Sequence, residues 1–250
     1  MKIIILTAIP QEHRIACKEL GLKKINNFLY EKKSNSALIE VILTGPGKAS
    51  AAQTTAAFIA KLAPDLIIDS GACAGTGENV KIGDLILAFE AYEIDLGYKE
   101  IPSKIISQMQ VASSIVNLDE TNKKMIKAKA SELAFKNGIR LICGKLACGD
   151  RILTSTSEKE KLTRVFDVEG FCWETAAVFL AAKREGKPAL SLRAITDLGN
   201  EQALYDFNQN LKKVVSSLYN FIGVLYTSCW FEEVFNIWKR LPENLRQSVF

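Results

Sequence analysis

Short runs rich in isoleucine, leucine and valine alternate with helix-like stretches along most of this chain. That alternation narrows the choice of fold more than any other feature. Strand-like runs cover residues 2–9, 28–32, 38–44, 66–70, 85–94, 140–148 and 189–196. "SNS" at residues 34–36 is expected to join the second and third as a hairpin. Helical stretches fall between the runs. Residues 11–20 end at Gly21, residues 48–62 stop before Pro64, and residues 120–136 end at Asn137–Gly138. Ser157 with Glu160 fits a capping box that opens a short helix, residues 173–185 end at "GKP", and residues 206–225 follow. Strands alternating with helices build a mostly parallel sheet covered on both faces, and the unbroken apolar run in "DLIID" suits a strand buried on both sides. The expected architecture is a single-domain three-layer α/β sandwich around a central mixed, mostly parallel sheet.

The 250 residues, 48% of them apolar, can fill one large core. No Pro/Ser-rich linker or internal repeat divides them, so residues 1–225 read as one domain and 226–250 as a helical extension. In that extension Phe231, Val234, Phe235 and Trp238 fall at i, i+3, i+4 and i+7. Packing on the body or on a neighbouring subunit is the first reading of this amphipathic face, and membrane contact the weaker one. The net charge of +4 is spread over lysine pairs, with no basic stripe interleaved with aromatics, which argues against nucleic-acid binding. Six cysteines without a CxxC pair, beside the single His13, give no zinc signature, and no metal or cofactor is expected. The cysteines read as small buried hydrophobes and His13 as a surface residue. No run reaches the ~18 apolar residues of a membrane span, and "MKIIILTAIPQEH" reads as a first strand rather than a signal peptide, so a cytoplasmic location is expected.

In open parallel sheets, ligands gather at the carboxyl ends of the strands. The polar, glycine-rich segments lie there: "TAIPQEH", "TGPGKAS", "DSGACAGTG", "CGDRILTS" and "TDLGN". Gly45, Gly47 and Lys48 do not complete a phosphate-loop motif, and a tight strand-to-helix turn is their ordinary reading. The small residues of "GACAG" admit either a ligand close to the backbone or close packing. Glu12 and Glu174 near helix starts, and Asp197 after "LSLRAIT", each read singly as helix or loop caps. Three acids at three strand exits of one sheet change that reading. Gathered in one cleft they repel, and their proton affinities separate so that each takes its own role.

The segments "TAIPQEH", "TGPGKASAA", "IIDSGACAGTGENVKIGDLIL", "CGDRIL", "CWETAAV" and "LRAITD" resemble, in order and spacing, the purine nucleoside phosphorylase / nucleosidase superfamily. The branch most similar is that of 5′-methylthioadenosine/S-adenosylhomocysteine nucleosidases and related bacterial nucleosidases, over residues 1 to about 221. The resemblance implies that Asp197 protonates the leaving purine, Glu174 binds the ribose hydroxyls and Glu12 activates the attacking water. It implies that Ile152 and Leu153 hold the purine edge, that Phe207 lines the ribose side, and that Ala72 and Trp173 contact substrate. It also implies a homodimer whose site lies near the subunit interface, and release of free base from a 5′-modified adenosine. By this scheme Asp197 is neutral, its affinity for a proton raised by burial, whereas Glu12 is ionised in a wetter place. Related phosphorylases carry an arginine where this chain has Asp69, and a carboxylate there would repel phosphate. Arg14, Lys48 and Arg193 remain as sources of positive charge.

The chain departs from the family pattern at several of these positions. Cys172-Trp173-Glu174 stands for Glu-Met-Glu, Ala72 for serine, Ile152 for an aromatic and Ile94 for histidine. These changes leave open the 5′ substituent, which a futalosine-type or hopanoid-type group would also fit. A phosphate-dependent phosphorylase and a nucleoside-binding protein without turnover are the competing readings.

Overall fold

The computed structural model describes residues 1–25, 29–33, 37–95 and 103–246. Its strands are Lys2–Thr7 (β1), Lys23–Lys24 (β2), Leu29–Lys33 (β3), Leu38–Leu43 (β4), Leu66–Gly75 (β5), Leu85–Glu93 (β6), Gln110–Ala112 (β7), Leu141–Cys148 (β8), Gly170–Cys172 (β9) and Ala189–Asp197 (β10). Its helices are Pro10–Glu19 (α1), Lys48–Leu62 (α2), Ser103–Met109 (α3), Glu120–Lys136 (α4), Thr156–Phe166 (α5), Thr175–Arg184 (α6), Ala203–Thr227 (α7), Trp230–Lys239 (α8) and Glu243–Arg246 (α9). The hairpin turn expected at residues 34–36 lies outside the described residues, while β3 and β4 on either side pair antiparallel.

The expected mixed, mostly parallel sheet is present, but it is not a plain sandwich layer. β4, β1, β5 and β10 run parallel in that order, and β2 and β3 extend the β4 edge antiparallel. Beyond β10 the sheet turns back on itself. β10 pairs with β6, β6 with β8, β8 with β9, and β9 with the end of β5, so five strands close into a barrel. Two features permit the closure. β5 runs five residues past the expected end at Ser70, so "GACAG" is strand rather than loop, and its last two residues pair with β9 while Gly71–Ala74 pair with β10. Register shifts between Ala88 and Ala91 in β6 and between Ile195 and Asp197 in β10 add the bend that closure needs.

Apolar side chains fill both sides of the sheet. One core joins Ile3, Ile5, Ile68, Leu87 and Leu192 to α1, α4 and α7, and another joins Ile4, Ile67, Ile86 and Ile195 to α2 and α6. A smaller cluster around Phe166, Phe171 and Tyr92 lies under α5. α8 sends Phe231, Val234 and Trp238 into the first core, and Trp230 Nε1 donates to the Ile126 carbonyl at 3.1 Å. Among the described residues no single helix is long and apolar enough to cross a membrane; α7 and α8 meet the length and composition together only as a pair bent by 64°.

Two local expectations are corrected. Ser155, not Ser157, caps α5, with its Oγ accepting from the Glu158 N–H, because the strand-exit loop ends two residues earlier than the Ser157/Glu160 pair suggested. His13 is buried rather than on the surface. It lies on the α1 face turned to the sheet, with Nδ1 at 3.1 Å from Thr7 Oγ1 and its ring edge against Tyr30.

Candidate active site

Glu12 stands in the first turn of α1 and reaches back into the sheet. Its Oε2 accepts from the Ala8 and Ile9 N–H groups at 3.2 and 3.3 Å, and its Oε1 from the Ala72 N–H at 2.7 Å. Gly71 makes the approach possible: a Cβ there would sit 2.7 Å from Oε1. The small residues of "GACAG" therefore serve close packing, and the Ala72 N–H is engaged by a carboxylate of the same chain. Burial pushes Glu12 up to about 7 against the pull of the Ala72 hydrogen bond and of Arg193. The wetter setting expected for this residue is thus corrected: Glu12 is only 3% exposed, packed between β1 and β5.

Glu174 is the residue before the first turn of α6. Its Oε1 accepts from the Gly47 N–H at 3.1 Å and its Oε2 from Arg193 Nη2 at 3.2 Å. Gly47 offers that N–H from a left-handed turn, φ +86°, between β4 and α2, where side-chain-bearing residues are strained. Burial raises the proton affinity of Glu174, and Arg193 opposes the shift. Asp197 ends β10, with Oδ1 accepting from the Gly199 N–H and Oδ2 from Thr196 Oγ1, both at 3.0 Å. The ordinary reading as a loop cap holds for one oxygen. Burial nonetheless drives this carboxyl up to about 6.

All three acids line one cleft of about 770 Å³, counting the space open at its mouth. Ala72, Ile152, Leu153, Trp173 and Phe207 line the same cleft, so each site residue expected from the sequence is brought to one place. Cys172, singled out as a departure from the family motif, lines it too, while Phe171, Ile9 and Leu204 line it and escaped the sequence reading. Phe171 and Cys172 belong to β9, too short to read as a strand, and Ile9 and Leu204 look like ordinary apolar residues.

The expected role of Asp69 is corrected. Its carboxylate does not face the cleft as a free charge, because Arg193 Nη2 binds Oδ1 at 2.7 Å and Thr175 and Ser191 donate to Oδ2 at 2.6 and 2.7 Å. Arg193, 1% exposed, is thereby held between Asp69 and Glu174. Lys48 points elsewhere, to Glu93, Asp95 and Asp150, and its backbone N–H meets Asp150 at 2.9 Å. Arg14 is exposed and is not among the cleft residues.

The family profile described as the phosphorylase superfamily matches residues 2–223. The chain belongs to the phosphorylase superfamily. Within it, the 5′-methylthioadenosine/S-adenosylhomocysteine nucleosidase of Buchnera aphidicola is 31% identical over 222 residues, 84% of this chain and 90% of that one. The aminodeoxyfutalosine nucleosidase of Campylobacter jejuni is 24% identical over 215 residues, 84% and 91% of the two chains. A solved Helicobacter pylori nucleosidase, an Asp-to-Asn mutant with 5′-methylthioadenosine in its active site, overlays with TM-score 0.76 at 22% identity, covering 91% of this chain and 98% of that one. Membership of the phosphorylase superfamily, with the structural overlay, accounts for the mixed sheet.

Proposed function

We propose that the protein hydrolyses the N-glycosidic bond of a purine nucleoside, an adenosine derivative modified at the 5′ position, releasing free adenine and the modified ribose. One observation carries the reading: Glu12, Glu174 and Asp197, from three separate elements, line one largely apolar cleft whose one cation among the described residues, Arg193, is already engaged by Asp69 and Glu174. Asp197, raised by burial, gives its proton to the departing base, which then leaves neutral. Glu174 binds the ribose hydroxyls and favours positive charge developing on the ring. Water attacks that carbon from the other face and loses its proton to Glu12, whose affinity near 7 suits a base at neutral pH. Ile152, Leu153, Trp173 and Phe207 shield the bond from bulk water, and Ala72 leaves room beside Glu12. The named activities of the Buchnera and Campylobacter relatives support this chemistry. The reading extends to a cytoplasmic homodimer.

A substrate panel tests it: 5′-methylthioadenosine, S-adenosylhomocysteine, adenosine, inosine and futalosine, each with and without phosphate, read as free base. Adenine released from a 5′-modified adenosine without phosphate is expected. A strict requirement for phosphate selects the phosphorylase, and tight binding without turnover selects a binding protein.

A further inference from the structure

Cys172 stands in the cleft wall, and on the neighbouring strand Cys148 is its register partner. Their sulfurs are 3.3 Å apart, and the two residues are 3% and 0% exposed. Directly paired residues on adjacent strands lie ~4.8 Å apart, within the ~4.4–6.8 Å that a disulfide spans. Bond formation needs a further approach of about 1.2 Å. The pair is wired to the catalytic acids. Cys172 Sγ contacts Thr175 Oγ1 at 3.1 Å, Thr175 donates to Asp69, and Asp69 holds Arg193 against Glu174. Cys148 Sγ accepts from the Ala176 N–H at 3.3 Å, in the first turn of the helix that Glu174 precedes.

We propose that Cys148 and Cys172 are an oxidation site, a dithiol that a peroxide small enough to enter the cleft converts to a disulfide, slowing the enzyme reversibly. The sulfur of Cys172, the one of the pair that lines the cleft, attacks one peroxide oxygen; the O–O bond breaks, water leaves and a sulfenic acid remains. The Cys148 sulfur then attacks the Cys172 sulfur and expels a second water. Two thiols and one hydrogen peroxide thus give one disulfide and two waters, the two electrons passing from sulfur to oxygen. Burial opposes ionisation of Cys172, yet the Cys148 hydrogen bond and Arg193 bring its thiol below the usual value, whereas burial holds Cys148 well above it. This assigns the attacking role to Cys172. Drawing the sulfurs together shifts β9 and the start of α6, and with them Glu174. A displacement near 1 Å at a reacting group costs about 10²-fold in turnover.

The experiment treats the whole protein with hydrogen peroxide, blocks remaining thiols, and maps peptides without reduction while following turnover. The expected result is a cross-linked peptide pair carrying Cys148 and Cys172, a fall in turnover of about 10²-fold that dithiothreitol reverses, and slower cross-linking when adenine fills the cleft. Cys148→Ser, which keeps an acceptor for the Ala176 N–H and lies outside the cleft wall, is expected to turn over normally and to escape the reversible loss. Absence of the cross-link under conditions that oxidise the exposed Cys229 overturns the site, as does an equal, dithiothreitol-reversible loss in Cys148→Ser. The effect on turnover rests on the proposed hydrolase reading, but the peptide map does not. A cross-link in a protein without hydrolase activity therefore separates the two failures.

Discussion

In the proposed reaction Asp197 and Glu12 have opposite tasks, and both are buried. Burial raises both, to about 6 and about 7, because each carboxyl gives up more solvation than its backbone donors return. Asp197→Asn keeps the shape and removes the transferable proton. Turnover is expected to fall ~10²–10⁴-fold with adenine binding retained, measured by single-turnover assay and by titration. Glu12 also leaves a mark on stability. Its folded value lies above the unfolded 4.5, so its contribution is fully present below pH ~4.5 and is lost as pH rises through about 7. Between those limits the wild type is expected to lose on the order of 3 kcal/mol that Glu12→Gln does not lose, read from urea midpoints of both proteins across pH.

At the scale of elements, the site depends on where strands stop and how closely they approach. Gly71 in β5 lets the α1 carboxylate lie against the strand. Gly71→Ala is expected to displace Glu12 and to reduce kcat about 10²-fold with the fold intact by circular dichroism; an unchanged kcat would remove Glu12 from the mechanism. The Arg193–Asp69 pair bridges β10 and β5, each of its partners almost fully buried. Asp69→Asn leaves the arginine with Glu174 as its one anionic partner, and a loss of about 3 kcal/mol is expected in chemical denaturation. The same variant frees a cation at the cleft. A rate that becomes sensitive to phosphate in Asp69→Asn, and not in the wild type, is the expected sign that this pair keeps phosphate out.

At the scale of the molecule, the sequence showed the alternation of strands and helices and the convergence of strand exits, because apolar runs and glycine turns are local signals. It placed Glu12 and Asp197 at the exits of recognisable strands, whereas Glu174, which follows the three-residue β9, joined them through the family resemblance. It missed the barrel closure, because β9 has only three residues and "GACAG" has the composition of a turn; only pairing with β10 and β9 makes it strand. It misjudged His13, Glu12 and Asp69 for one reason: the environment of a polar side chain is set by partners distant in sequence, Tyr30, Ala72 and Arg193. The added helix α8 belongs to the same cooperative body if its burial counts. Phe231→Ala is expected to cost about 3–5 kcal/mol in global stability, and an unchanged unfolding midpoint would make residues 226–250 a separate appendage.

The central claim is that a neutral Asp197 and an ionised Glu12 act in the same turnover. Base release followed from pH 4.5 to 9 tests it most directly. Glu12 holds its proton more tightly than Asp197, so the active pair of neutral Asp197 and ionised Glu12 is a minority form at every pH; its share, and with it kcat/KM, is expected to trace a bell peaking near pH ~6.5 and falling below about 6 and above about 7. In kcat the alkaline limb is expected to move to higher pH, because bound substrate shields Asp197 further. A kcat/KM that stays level across this range, or that climbs steadily to pH 9, would contradict the account.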